Sequence, residues 1–114
     1  MEQTLFTLPI LPGKTAVARA FLQELGGPRK QDLAACGDSM GINKETWAIQ
    51  QMPQGDFFVA YMAGDDLTHA FQEFAVSQSE FDAWFKQCIQ ETTGADLNTP
   101  PPGPISEILA DTAP

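Results

Sequence analysis

Basic residues are scarce in this sequence: six lysines and arginines stand against fifteen aspartates and glutamates, for a formal net charge of −9 at pH 7. The imbalance is concentrated in residues 45–114, where one lysine accompanies eleven acidic residues. Proteins that bind nucleic acids or anionic membranes neutralise phosphates with clustered Lys and Arg. The sequence therefore predicts no nucleic-acid partner and no membrane partner.

Histidine and cysteine are also rare. His69 is the only histidine, and the two cysteines, Cys36 and Cys88, lie far apart and form no C-x-x-C motif. A disulfide framework, or a metal site built from His and Cys, needs more of these residues at closer spacing. We therefore expect no metal and no cofactor, and the cysteine usage is typical of a cytoplasmic protein.

Long apolar runs are missing, since no segment approaches the ~20 apolar residues of a membrane-spanning helix. The first residues lack the basic stretch followed by an apolar stretch that marks a secretory signal. With 114 residues, 43% of them hydrophobic, the chain has the size and composition of one globular domain. We expect a single domain over residues 1–114, located in the cytoplasm.

Patterned segments predict the secondary structure. Apolar or β-rich stretches predict strands, and apolar residues at helical spacing predict helices. The predicted strands are residues 4–11, 46–52, 57–63 and 105–112. The predicted helices lie within residues 13–27, over residues 29–40, after a cap at Asp65 or Asp66, and between a cap at Ser79 and an end at Gly94.

This order of elements is that of a ferredoxin-like β-α-β-β-α-β protomer in which each crossover helix is split in two. The predicted fold is α+β, with an antiparallel four-stranded sheet whose first and third strands are central. The helices cover one face of that sheet. Because the strand 57–63 is apolar on both sides, we expect a second copy of the chain to cover the other face. The protein is therefore expected to be a homodimer.

The turn between the second and third strands sets their register. Residues 52–55, Met-Pro-Gln-Gly, predict a type I turn with a bulge at the glycine. In that register Trp47 faces Tyr61, and Gln51 lies on the same side of the sheet. The other side carries alanine opposite alanine, which leaves room for helices. We therefore place the helices on the alanine side and the aromatic pair on the opposite face.

Five motifs, spread over most of the chain, carry a resemblance to a known family. They are LPILPGKT (8–15), GPRK (27–30), W-x-x-Q-Q-x-P-x-G-D (47–56), FDAWFK (81–86) and TGADLNTPPPGP (93–104). With these motifs the chain resembles a family of small uncharacterised bacterial proteins in the dimeric α/β-barrel superfamily. The resemblance implies a ferredoxin-like protomer whose sheet packs face to face with that of a twin. It assigns no catalytic residue.

Trp47, Gln51 and Tyr61 are the predicted ligand-binding residues. An aromatic wall with a phenol and an amide suits a planar organic molecule, and a cross-strand aromatic pair that fills a core fits the same pattern. Tyr61 and His69 are the candidates for proton transfer, but a solvated position on its helix also fits His69. LPGKT is not a phosphate-binding loop, because Leu8 stands where that motif needs its first glycine.

Two functions stay open. The first is a small homodimeric protein that binds or converts a small apolar or aromatic molecule inside the barrel without a metal. The second is a non-enzymatic structural or interaction module with a filled barrel interior. A closed pocket beside Trp47 and Tyr61 would favour the first, and a packed interior would favour the second.

Overall fold

The structure is a computed structural model that describes residues 1–112. Its elements, in chain order, are β1 (Glu2–Pro9), α1 (Thr15–Leu25), α2 (Lys30–Ser39), β2 (Ile42–Met52), β3 (Gly55–Gly64), α3 (Leu67–Val76) and α4 (Glu80–Thr93). The strands form one antiparallel sheet in the order β1-β3-β2. The protein therefore has an α+β fold in which β3 is the central strand.

The predicted ferredoxin-like fold with a four-stranded sheet is wrong. The first three strands and all four helices lie close to where the sequence places them. The observed order, however, is β-α-α-β-β-α-α, with three strands in residues 1–112. β1 is therefore an edge strand and not a central one. The dimeric α/β barrel, which the family resemblance implied, is built from that protomer and is therefore wrong as well.

The segment expected to form the fourth strand, residues 105–112, crosses the outer edge of β1 instead of pairing along it. Ile105 packs against the helix-covered side of the sheet. Ser106 N donates a hydrogen bond to Oγ1 of Thr4 at 3.2 Å, and the Ser106 hydroxyl bonds to both backbone groups of Leu5. The residues that follow lie on the opposite side of the sheet. A side chain, and not a backbone ladder, holds this C-terminal segment.

The helix ends follow the capping signals of the sequence. At the start of α3, the Asp66 side chain accepts a hydrogen bond from His69 N at 3.0 Å. At the start of α4, Ser79 accepts one from Asp82 N at 3.1 Å. α4 ends at Gly94, whose φ of 79° lies in the left-handed region that glycine adopts without strain. Of the two cap candidates for α3, Asp66 is the cap, and the predicted cap at Ser79 and the predicted end at Gly94 are confirmed.

The hairpin between β2 and β3 is tighter than the sequence predicts. Met52 pairs directly with Gly55, so a two-residue loop joins the strands and no bulge follows it. The predicted bulge would have added one residue to β3. Without it the register moves by one position, and Trp47 pairs with Ala60 instead of Tyr61. Because side chains alternate along a strand, this shift places Tyr61, the predicted neighbour of Trp47, on the other face of the sheet.

The helices cover one face of the sheet with a largely aromatic core, which we call the helix-side core. Phe58 is fully buried at its centre, with ring centroids of Phe21 at 6.1 Å and Trp47 at 5.8 Å. Phe85 of α4 packs 5.4 Å from Phe21 and 5.5 Å from Trp47. The near-perpendicular ring pairs are the edge-to-face arrangement that aromatic quadrupoles favour.

A buried lysine ties α4 to two loops. Lys86 is 5% exposed, and its Nζ donates hydrogen bonds to Ala75 O at 3.1 Å, Ser77 O at 2.8 Å and Asn98 Oδ1 at 3.1 Å. The ammonium also lies 5.1 Å from the ring centroid of Phe74. All three donor protons of the ammonium therefore have an acceptor. These bonds fix the α3–α4 linker and the loop after α4.

The end of β3 comes into close contact with the start of β2. A Cβ atom on Gly64 would lie 2.5 Å from Gly41 O and 3.1 Å from the Cα of Ile42. Asp65 N donates a hydrogen bond to the same carbonyl of Gly41 at 3.0 Å. Only a residue without a side chain fits at this position of β3.

Candidate functional site

The three predicted ligand-binding residues do not come together. Trp47 pairs with Ala60 and lies on the helix-covered face, whereas Tyr61 pairs with Thr46 on the opposite face. Gln51 is exposed near the hairpin turn, on the same side as Trp47. The prediction that all three share one face is therefore wrong, and the one-residue shift in the hairpin register is the reason.

Trp47 is part of the helix-side core. Its ring centroid lies 5.7 Å from that of Phe6 and 5.5 Å from that of Phe85. Its Nε1 donates a hydrogen bond to Oε2 of Glu45 at 2.7 Å. Burial raises the pKa of Glu45, and the hydrogen bond from Trp47 offsets part of this rise because it stabilises the charged form. The indole thus fills the core and holds a half-buried carboxylate.

His69 lies on the solvent side of α3. Its Nε2 is 2.7 Å from Oε1 of Glu73, one helical turn away, and the side chains are 62% and 44% exposed. Its solvated position agrees with the interpretation that His69 lies opposite the apolar stripe of its helix. The structure therefore separates His69 from the face that carries Tyr61.

The second face of the sheet, opposite the helix-side core, is the open face. Its central row consists of Phe57, Val59 and Tyr61, all half-buried. Leu5 of β1 pairs with Tyr61 and is 49% exposed. None of these residues belongs to a core cluster formed by the described part of the chain. The open face is thus the apolar side of β3 that, according to the sequence analysis, the helices do not cover.

A cleft of about 380 Å³ lies at the β1 border of the open face. Gln3, Leu5 and Tyr61 form its floor, and residues 107–111 of the C-terminal segment form its wall. The Tyr61 hydroxyl donates to Oε1 of Gln3 at 2.6 Å, and Nε2 of Gln3 donates to Oδ2 of Asp111 at 3.2 Å. This chain of bonds joins the floor to the wall. We call this site the Tyr61 cleft.

The sequence identified Tyr61 but missed the wall of this cleft. The sequence predicts a strand over residues 105–112, and Gln3 precedes the predicted first strand. Their proximity depends on Ser106, which binds Leu5 from 101 positions away. No local pattern signals a contact of that separation.

A second cleft, of about 350 Å³, lies between α2 and the α3–α4 linker. In it the Cys36 thiol donates to Oδ1 of Asp82 at 3.1 Å, and the Ser77 hydroxyl donates to the other oxygen of that carboxylate. Burial, and then the contact with Asp82, raises the pKa of the Cys36 thiol well above its usual range. A thiol whose proton is held by a carboxylate is a poor nucleophile, and the hydrogen bonds of this cluster link α2 and the α3–α4 linker to the start of α4.

The one partly buried arginine is engaged within the protein. Arg29 donates to both carboxylate oxygens of Glu80, at 2.9 and 3.1 Å, and its guanidinium lies 4.3 Å from the ring centroid of Trp84. Glu24 and Asp32 lie 3.5 Å from it. Arg29 thus connects the α1–α2 corner to α4, and this use leaves it poorly placed to bind an acidic ligand.

Among residues 1–112, no three His, Cys, Asp or Glu side chains come together in a way that could hold a metal ion. No helix in the described chain combines the length and the apolar character needed to cross a membrane.

Comparison with known proteins gives a family and no activity. No curated protein matches the chain in a sequence search. The DUF6176 family, described as a family of unknown function, matches residues 1–101. The matched region begins before β1 and continues past α4, so it contains every helix and strand of the fold. The chain therefore belongs to the DUF6176 family.

Proposed function

We propose that the protein is a homodimer joined through the open face, and that it binds a small, largely apolar or aromatic organic molecule in the Tyr61 cleft without a metal. The observation that carries this proposal is the row of Phe57, Val59 and Tyr61 on the face opposite the helix-side core. Apolar side chains that stay partly accessible and outside the core clusters, as this row does, are typical of association or ligand-binding surfaces.

Self-association is the simplest way to cover the open face. Each Å² of apolar surface removed from water contributes about 25 cal/mol, and a stable interface buries about 800 Å² per partner. A twofold contact brings the same patch from both copies together, so the apolar row of one β3 would pack on that of the other. A homodimer of this kind would bury the open face of each copy against that of the other.

The ligand site is the Tyr61 cleft, at the border of this face. Its volume of about 380 Å³ lies within the usual range for small-molecule sites. Leu5 and the apolar residues of the wall offer a surface for the body of a ligand, and Tyr61 and Gln3 offer polar groups that orient it. A second protomer on the open face would close this cleft from the side of β3.

Light scattering at micromolar concentration tests the dimer, which should give twice the chain mass of 12.4 kDa. Thr46→Lys places a charge beside Tyr61 on the open face, on an exposed position of the edge strand β2, and should give the monomer mass. Thr68→Lys, at an exposed position of α3, is the matched control, and this variant should stay dimeric. A monodisperse wild-type monomer would refute the dimer.

Two-dimensional NMR tests the ligand site, because a chain of this size gives resolved amide spectra. Small aromatic fragments should shift the resonances of Gln3, Leu5 and Tyr61 in a saturable way. Tyr61→Ala should weaken this binding by about tenfold or more, whereas Thr68→Ala should leave it unchanged. Shifts confined to other parts of the fold would place the site elsewhere.

The helix-side core favours the second candidate function, a non-enzymatic structural or interaction module. Phe21, Phe58 and Phe85 fill the space between sheet and helices with close ring contacts. Within the described residues, these rings fill the space between the sheet and the helices, as a protein with a packed interior would have it. A dimer that responds to no fragment would support this second function.

A further inference from the structure

The residues around the Tyr61 cleft restrict the chemistry of its ligand. Leu5 lies on its floor, and Ile108 and Leu109 lie on its wall, so part of its surface is apolar. Glu107 and Asp111 bring two carboxylates to the same wall. None of the described residues that line the cleft is basic. An apolar surface next to carboxylates favours a ligand with an apolar body and a positive charge.

The hydrogen bonds at the floor of the cleft also favour a positively charged ligand. The Tyr61 hydroxyl proton goes to Gln3, and the Gln3 amide nitrogen donates to Asp111. The main side-chain donors of the cleft are thus used within the protein, while the Glu107 carboxylate and the phenol oxygen of Tyr61 can accept hydrogen bonds from a ligand. An ammonium group has three donors and no acceptor. A carboxylate or phosphate ligand would instead need donors, and would meet two like charges.

We propose that the Tyr61 cleft binds a small organic cation, namely an ammonium group carried by an aromatic or aliphatic body. This inference rests on the proposed ligand-binding function of the cleft. The ammonium lies towards Glu107 and Asp111, and the body lies against Leu5 and Leu109. The overall charge of −9 favours the approach of such a ligand and disfavours an anion of the same shape.

Three probes of nearly equal shape separate the effect of ligand charge on affinity from the effect of apolar contact. They are 2-phenylethylamine, 2-phenylethanol and phenylacetate. Each is titrated into the full chain while the amide signals of Gln3 and Leu5 are followed by NMR. The amine should bind about tenfold more tightly than the alcohol, and phenylacetate should bind more weakly than either. Amine binding should also weaken as salt is added, because the carboxylates are partly exposed.

Substitutions locate the charge effect in the cleft. Glu107→Gln should weaken amine binding several-fold and leave the affinity for the alcohol unchanged. Glu91→Gln, on the exposed surface of α4, removes the same charge elsewhere and should change neither affinity. Glu107 lies on the exposed part of the C-terminal segment, so this variant should fold normally, which a circular dichroism spectrum confirms.

Each outcome has one meaning. Tighter binding of the amine that depends on Glu107 and not on Glu91 supports the inference. Equal or tighter binding of phenylacetate or the alcohol at the same residues overturns the inference, but leaves the ligand site in place. Absence of binding by all three probes refutes the Tyr61 cleft as a ligand site, and the inference with it.

Discussion

The side chain of Ser106 occupies both outward-facing backbone groups of Leu5: its Oγ accepts a hydrogen bond from Leu5 N at 3.2 Å and donates one to Leu5 O. In a larger sheet these two groups would bond to the next strand. Here the Ser106 hydroxyl makes the two hydrogen bonds that a neighbouring strand would otherwise make to Leu5. This contact decides where the C-terminal segment goes, and therefore whether the Tyr61 cleft has a wall.

Ser106→Ala should loosen the C-terminal segment. The variant loses the bonds to Leu5, while water can still reach the edge of β1, so the cost in stability should be about 1 kcal/mol. Hydrogen exchange should become faster for residues 105–111 and stay unchanged in β3. Thr7→Ala, at an exposed position of the same strand, is the control. Equal exchange in both variants would show that Ser106 does not hold the segment.

Gly64→Ala should lower the free energy of unfolding by about 1–3 kcal/mol, since the new methyl group would overlap Gly41 O and force the backbone apart. Urea denaturation measures the effect. Gly103→Ala adds the same methyl group where no atom lies within 4 Å, so it should change stability by less than about 0.5 kcal/mol. Similar effects at both positions would contradict the close contact of β2 and β3.

Glu45→Gln should stabilise the protein at neutral pH. Because burial raises the pKa of Glu45, its ionisation is less favourable in the folded chain than in the unfolded chain. The contribution of Glu45 to stability is therefore most favourable where Glu45 is protonated in both states, below about pH 4, and it is lost as pH rises through the raised pKa. The glutamine keeps an acceptor for Nε1 of Trp47 and carries no charge.

Thermal unfolding of this variant and of the wild-type protein over a range of pH tests whether the substitution raises or lowers stability. The advantage of Glu45→Gln should be present at pH 7 and vanish towards pH 4. Glu91→Gln, on the exposed side of α4, should show no such pH-dependent advantage. A variant that is less stable than wild type at pH 7 would rule out a desolvated carboxylate at this position.

Lys86→Met should destabilise the fold by about 1–3 kcal/mol or more. Methionine fills a similar space, but it leaves the carbonyls of Ala75 and Ser77 and the amide oxygen of Asn98 without their donor. Lys30→Met, at an exposed position, should have little effect. Chemical denaturation compares the two variants, and a neutral result for Lys86→Met would mean that water replaces the ammonium.

Local signals in the sequence predicted most of the secondary structure. The caps at Asp66 and Ser79 and the glycine at the end of α4 depend on contacts within one helical turn, which a sequence displays directly. The register of the hairpin was wrong by one residue, because a bulge after the turn and a direct Met52–Gly55 pair fit the same four residues. That single difference moved Trp47 from the predicted pocket into the core.

The candidate site was predicted only in part, for a related reason. Tyr61 was identified from its place on an apolar strand. The walls of its cleft come from the opposite end of the chain, joined through Ser106 and the bond between Gln3 and Asp111 across 108 positions. Contacts of this separation leave no periodic pattern, so a strand was the natural prediction for residues 105–112.

The crossing of the C-terminal segment over β1 has a consequence for solubility. An edge strand presents unpaired backbone groups that can template the addition of strands from other molecules, which is a common start of aggregation. Here the groups of Leu5, in the middle of β1, are occupied by Ser106, and the chain that follows lies over the border of the sheet. A foreign strand could align with β1 only after this segment had been displaced, so the C-terminal segment protects this edge of the sheet against edge-to-edge assembly.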